Sequence, residues 1–185
     1  MLMDEGLDTG DMLLKREVPI SSEATTGEIH DVLAALGGEL LIDTLCALEK
    51  GTVNSIPQTG ESNYAPLLER KHERLDWSRR ANELHDQIRG LNPWPGAFAT
   101  FRGENLKIWR STLSQQSDEV AESEVVSMEE AVEPGQIIQI VGNSLLVQTG
   151  EGILEILEVQ PAGKRSMSAR DFFNGRHGRV GERLG

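Results

Sequence analysis

The 185 residues carry 18 basic and 30 acidic side chains, a net charge of −12, with 38% apolar residues and 19 glycines. That apolar share is low for one large core, so a small domain plus part of another is expected rather than a single well-filled domain. No run of roughly eighteen apolar residues occurs and Met1–Gly6 has neither a basic nor a hydrophobic stretch, so neither a transmembrane helix nor a secretory signal is expected, while the lone Cys46 fits a reducing cytoplasm.

In chain order, Met1–Gly10 reads as an acidic, glycine-containing loop, and Asp11–Ile20 as a short strand with Leu13, Val18 and Ile20 as apolar contributors. Thr25 and Glu28 have capping-box spacing. Ile29, Val32, Leu33 and Leu36, then Leu40, Leu41, Leu45 and Leu48, recur at helical spacing, which predicts one amphipathic helix, or two broken at Gly37-Gly38, over residues 26–49. Such a stripe needs a sheet to lie on, and one short strand does not supply it. The chain is therefore expected to begin inside a larger α/β domain. Residues 51–69 are rich in turn formers and read as a linker.

From residue 70 the texture changes. Ser78 is placed to cap a helix over Arg79–Arg89 that buries Leu84 and Ile88. The prolines of Asn92-Pro93-Trp94-Pro95 restrict the residues before them and predict an extended turn. Strands are expected at Ala97–Arg102, Leu106–Leu113, Gln136–Val141, Ser144–Gln148 and Ile153–Val159, separated by glycine-bearing turns. Residues 114–131 are acidic and expected to be mobile. A last helix begins at Ser168, whose hydroxyl can cap with Asp171, and ends at Asn174-Gly175. Five short strands with few crossovers and flanking helices predict a small antiparallel barrel, best described as OB-like. The overall class is mixed α+β, divided as 1–50, a linker at 51–69, and 70–185.

Two features carry candidate chemistry. Asp4-Glu-Gly-Leu-Asp8-Thr-Gly-Asp11 places four carboxylates and two glycines in a short loop. It reads as a ligand-facing loop with one carboxylate in proton or orienting work, or as an ordinary acidic surface turn. Calcium is set aside because the spacing is not that of an EF-hand. Charge is also segregated: residues 70–110 carry nine basic and five acidic side chains, and 161–185 six and two, whereas 1–69 and 111–160 are strongly acidic. Two basic segments could meet on one face, or could simply be solvated. Trp77, Trp94 and Trp109 are read as core residues rather than base-stacking ones. His30, His72, His85 and His177 are read as surface or boundary histidines, and Cys46 as a packing residue.

MDEGLDTGDMLLKREVPI, LDWSRRANELHDQIRGLNPWPGAF and ILEILEVQPAGKRSMSARDFFNGR resemble, in this order, segments of the methionyl-tRNA formyltransferases. The resemblance covers essentially the whole chain. It implies that residues 1–50 are the end of an α/β Rossmann-like catalytic domain (a strand and a helix) and that 70–185 form an OB-like tRNA-contacting domain. It further implies transfer of a formyl group from 10-formyltetrahydrofolate to the α-amino group of methionyl initiator tRNA in translation initiation.

By motif match Asp8 is the catalytic aspartate, which sets the orientation and protonation of a histidine. Gly6, Leu7, Thr9 and Gly10 supply loop backbone near the folate. The family's Asn and His lie in an earlier segment that has no match here, so this chain alone is expected to be inactive. Arg70, Lys71, Arg74, Arg79, Arg80, Arg89, Lys164 and Arg165 are the implied tRNA contacts, with Lys164 and Arg165 foremost because Gly163 permits close approach. No metal and no membrane partner are expected, a monomer is the expected state, and the cytoplasm the expected location. A different 10-formyltetrahydrofolate-dependent hydrolase or formyltransferase, and a stand-alone OB-like RNA-binding module, remain the alternatives.

Overall fold

A computed structural model describes residues 1–114 and 132–185. All but Ser114 of the expected mobile acidic segment, residues 114–131, therefore lies outside the described residues. The chain forms two compact units, Met1–Leu67 and Leu68–Gly185.

In the first unit one helix, α1 (Thr26–Glu49), runs unbroken through Gly37-Gly38. The Thr25 hydroxyl accepts from the Glu28 N–H while Glu28 accepts from the Thr25 N–H at 2.8 Å, so two of the helix's free donors are satisfied reciprocally. No residue of α1 is buried, and Val32, Leu41, Ile42 and Leu45 are exposed. Arg16 holds the preceding segment to the helix, with ion pairs to Glu39 at 3.2 Å and Asp43 at 2.6 Å. The strand expected over Asp11–Ile20 does not form. Only Met12 pairs, in a single antiparallel bridge with Ile56, because no partner strand lies beside the rest. Cys46 is exposed, not packed, for the same lack of a covering layer.

The second unit is an antiparallel sheet with helices packed on it. After α2 (Arg70–Glu73) and α3 (Ala81–Gly90) come β1 (Ala97–Phe101), β2 (Glu104–Leu113), β3 (Ile137–Val141), β4 (Ser144–Gln148), β5 (Ile153–Pro161), β6 (Met167–Ser168) and α4 (Ala169–Gly175). The strand order is β1-β2-β5-β4-β3, with β6 paired to β5. Alternation decides which face is core: Ala97, Ala99 and Phe101 of β1, Leu106 and Ile108 of β2, and Leu154, Ile156 and Val159 of β5 are all buried in one cluster. From α3 the cluster takes Ala81, Leu84 and Ile88, and from α4 Phe172 and Phe173. Phe101 meets Phe172 edge-on at 5.5 Å between centroids.

The sheet has two edge strands, β1 and β3, and residues 182–185 pair with both. Ile137 N–H donates to Glu182 O at 2.8 Å, Leu184 N–H donates to Gly135 O at 2.8 Å, and Gly185 exchanges hydrogen bonds with Thr100 at 2.7 and 2.8 Å. Leu184 plugs the core at 2% exposure. The OB-like barrel is thus closed by an irregular segment rather than by another full strand.

Three local expectations differ. The helix read as capped by Ser78 starts at Ala81 with Arg80 in the capping position, because Ser78 is drawn into a turn by Asp76, whose Oδ1 accepts from Ser78 N–H and Oγ. His85 is buried rather than superficial, its Nδ1 3.1 Å from Ser111 Oγ. Trp77 is in the core as expected, but Trp94 is 72% exposed and Trp109 only half-buried.

Candidate functional site

The loop Asp4–Asp11 is organised by its own polar groups. Asp4 Oδ1 accepts from the Gly6 N–H at 3.0 Å and from the Thr9 hydroxyl at 2.6 Å, which folds residues 4–9 around one carboxylate. Gly6 and Gly10 are needed sterically. A Cβ on Gly6 would lie 2.2 Å from Thr9 Oγ1, and one on Gly10 would lie 1.9 Å from the main-chain oxygen of Leu2. Asp8 adopts φ +55°, which a non-glycine residue seldom occupies and which Asp tolerates better than most. Leu7 is exposed.

Two of the loop's carbonyls are gripped from outside it. Gln58 Nε2 donates to Asp8 O at 2.7 Å and to Gly10 O at 2.8 Å. Gln58 lies in the segment read as a linker, and its role has no signature in the sequence. The Asp8 carboxylate itself makes no hydrogen bond or ion pair among the described residues, so it is an acceptor with its lone pairs free on a pinned backbone.

The eight candidate cations of the second unit fall into three groups. Arg79 pairs with Glu83 at 3.5 Å, Arg80 with Glu151 at 2.8 Å, Arg89 with Asp86 at 2.8 Å, and Lys71 with Glu69 at 2.9 Å. The Arg80 N–H, foremost, and the Arg79 side chain hold the Glu83 carboxyl below the usual carboxylate range. Arg70 instead lies over the Phe98 ring, 5.8 Å from its centroid. Arg74, Lys164 and Arg165 are exposed and make no ion pair among the described residues.

Lys71 and Arg74 line a cleft of about 540 Å³ with Asp76, Trp77 and Arg183. Asp76 there is ionised more readily than an ordinary aspartate, first through its bond from the Ser78 hydroxyl and then the Ser78 N–H, with smaller help from Arg79 and Arg74. Lys164 and Arg165 stand apart from that cleft, on the turn between β5 and β6. The candidates therefore do not form one continuous patch of free charge. Among the described residues no group of three or more metal-ligating side chains is present, and no helix is long and apolar enough to cross a membrane.

Residues 67–177 match the family described as formyl transferase, C-terminal domain. The chain is 45% identical to the methionyl-tRNA formyltransferase of Heliobacterium modesticaldum, an alignment covering 100% of this chain and 58% of that protein. It is 44% identical to the methionyl-tRNA formyltransferase of Symbiobacterium thermophilum, over 100% of this chain and 54% of that one. The chain thus spans little more than half the length of these curated relatives. Among solved structures, HypX from Aquifex aeolicus in complex with tetrahydrofolic acid is similar with a TM-score of 0.63 at 18% identity, over 97% of this chain and 30% of that one. WlaRD, a sugar 3N-formyl transferase, has a TM-score of 0.57 at 17% identity, over 88% and 53% of the two chains. At such identities the likeness to the solved structures is one of fold.

Proposed function

The chain belongs to the formyltransferase family through its C-terminal domain, and on that premise we propose that it is the C-terminal portion of a methionyl-tRNA formyltransferase. The complete enzyme would transfer the formyl group of 10-formyltetrahydrofolate to the α-amino group of methionyl initiator tRNA, in the cytoplasm and as a monomer. The observation that carries this reading is the 45% identity sustained over the whole chain with a protein of that name. WlaRD, a sugar 3N-formyl transferase, shares the fold at 17% identity.

In this reading the two units serve different parts of the reaction. The attacking amine must lose a proton, the folate nitrogen that leaves must gain one, and the tetrahedral intermediate places charge on oxygen. Asp8 would orient an imidazole from the upstream catalytic segment and favour its cationic form, since a carboxylate close to a histidine stabilises the charged ring. A carboxylate with no partner of its own, on a backbone held by Gln58, suits that task. Gly6, Leu7, Thr9 and Gly10 would bring the loop's main chain against the folate. The domain at 70–185, joined through the 51–69 linker, would hold the tRNA. Arg74, Lys164 and Arg165 are the cations best placed for phosphates, because each of the paired arginines must first give up an acidic partner.

Binding of initiator tRNA by the chain, measured across salt concentrations, tests the reading. The affinity should fall steeply as salt rises, because each neutralised phosphate releases counterions. Absence of salt-sensitive binding would remove the tRNA assignment.

A further inference from the structure

Trp94 is the large side chain most difficult to reconcile with a purely structural role. Its indole is 72% exposed and makes no ring contact among the described residues. A tryptophan carries enough apolar surface to dominate any cluster it joins, and this sequence has only three. A singly exposed apolar residue is ordinary; what is unusual is how firmly the loop around this one is fixed.

Asn92 Nδ2 donates to Trp109 O at 2.8 Å, Gly96 N–H donates to Leu91 O at 2.8 Å, and Lys107 Nζ donates to Pro95 O at 2.6 Å. Gly96 sits against the Trp109 ring so closely that a Cβ would lie 2.6 Å from it. Pro93 and Pro95 remove two further degrees of backbone freedom. The indole is thus presented to solvent by a loop with little freedom left to lose.

The same contacts run on to the exposed cations. Lys107 lies 5.1 Å from the Trp109 ring centroid and pairs across the ladder with Gln160. Gln160 accepts from Trp109 Nε1 at 2.9 Å and donates through Nε2 to Lys164 O at 2.7 Å. The loop bearing Trp94 is therefore tied to Trp109 and the turn bearing Lys164 to Gln160, and the Trp109–Gln160 hydrogen bond joins the two. On β1 the row continues to Phe98, registered with Lys107 and covered by Arg70. Two rings of this outward row, Trp109 and Phe98, each lie beneath a cation, Lys107 and Arg70. Such a mix of aromatic and basic side chains is the composition that holds unpaired nucleotides: rings stack bases while cations meet phosphates.

We propose that Trp94 is a stacking site for an unpaired base of RNA, with Lys164 and Arg165 binding the adjoining phosphates. This rests on the reading of residues 70–185 as a tRNA-binding domain and names the part of the tRNA that this face takes: a nucleotide outside the base-paired stems. Lys164 and Arg165, which make no ion pair among the described residues and sit on the turn joined to this loop through Gln160 and Trp109, favour a polyanion over a neutral apolar partner.

The chain would be titrated with a short single-stranded oligoribonucleotide, a duplex of the same length and the intact initiator tRNA. Trp94→Ala should weaken the single strand and the tRNA about ten-fold, leave the duplex unchanged, and leave the salt slope unchanged, since no phosphate contact is lost. Trp94→Phe should recover most of the loss. Lys164→Ala with Arg165→Ala should lower the salt slope by about 1.4, near 0.7 for each single-strand phosphate contact removed. Equal affinities for Trp94→Ala and the parent would overturn the proposal while leaving tRNA binding intact. If the indole also became shielded from a fluorescence quencher when the chain is joined to an upstream catalytic segment, its occupant would be protein. Failure of the parent chain to bind any of the three RNAs would overturn the broader reading as well.

Discussion

The side-chain amide of Gln58 donates to the main-chain oxygen of Asp8 at 2.7 Å, across fifty residues of chain, and to Gly10 O by its second hydrogen. If the Asp8 carboxylate does the catalytic work proposed for it, the loop gains precision when its backbone, rather than the carboxylate itself, is what the scaffold holds. Gln58→Leu should therefore raise hydrogen exchange at the Leu2, Met12 and Ile56 amides, whose bonds lie beside the clamp. In an enzyme made complete by an upstream segment, it should also slow formyl transfer about ten-fold without changing tRNA affinity. Unchanged exchange would show that the clamp contributes nothing to the loop.

Asp8→Asn keeps the size of the side chain and removes its charge. In the complete enzyme it should lower transfer by about 10²- to 10⁴-fold, the usual weight of a general acid–base group. The tRNA affinity should stay within about two-fold of the parent. Parallel loss of both would mean that the loop is architectural.

Phe173 is fully buried where α4 meets the barrel core, 6.1 Å from the Phe101 ring. Phe173→Ala should destabilise the second unit by about 3–5 kcal/mol, the loss typical of a large aromatic truncated in a packed core. Urea unfolding should show a lower midpoint at an unchanged slope.

Gly135 has φ +87°, and a Cβ there would lie 2.4 Å from Leu184 O. Gly142 has φ +53° with nothing within 4 Å. Alanine at 142 should cost about 1 kcal/mol from the backbone alone, and alanine at 135 about 2 kcal/mol or more because the closing segment must also move. Equal costs, compared by thermal unfolding, would show that the segment yields freely.

Glu182 accepts from the Arg179 N–H, the main cause of its lowered pKa, and is held further by Arg102 at 2.8 Å. A carboxyl that ionises more readily folded than unfolded adds stability above its unfolded pKa, and loses it as pH falls through the folded value. Asp76 acts in the same direction through Ser78. The midpoint of thermal unfolding should thus be nearly flat down to about pH 5 and decline below about pH 4.5, and Glu182→Gln should shallow that decline. An identical acid limb in Glu182→Gln would exclude this carboxyl as a source.

Most of the barrel was legible because its strands alternate and its turns are punctuated: Gly103, Gly142 and Gly152 each take positive φ at the chain reversals. The Thr25–Glu28 box and the Ser168 cap were legible because they are local, three residues across. What could not be read depends on distant partners. Asp11–Ile20 has strand composition and no strand beside it. Gln58 acts at a separation of about fifty residues, and nothing in PQTG announces an acceptor so far away. The same holds for residues 182–185, which pair with two strands yet have no alternation of their own. Trp94 misled for another reason: prolines on both sides fix the chain path without saying which side of it faces water. Charge counting found the basic segments, but it could not see that Arg79, Arg80 and Arg89 are engaged by Glu83, Glu151 and Asp86.

One short segment pairs with both edge strands of the sheet, at Thr100 of β1 and Ile137 of β3, beside the bonds that Leu75 N–H donates to Phe98 O and Gly181 N–H to Ile137 O. Its removal would expose part of two borders at once, on opposite ends of the strand order. Each would offer unpaired amides and carbonyls to a neighbour, and a body with two such borders can extend indefinitely where a body with one can only pair. A chain cut before Glu182 is therefore expected to associate through these freed main-chain groups at both ends of the strand order, which sedimentation would show as open-ended assemblies rather than simple dimers.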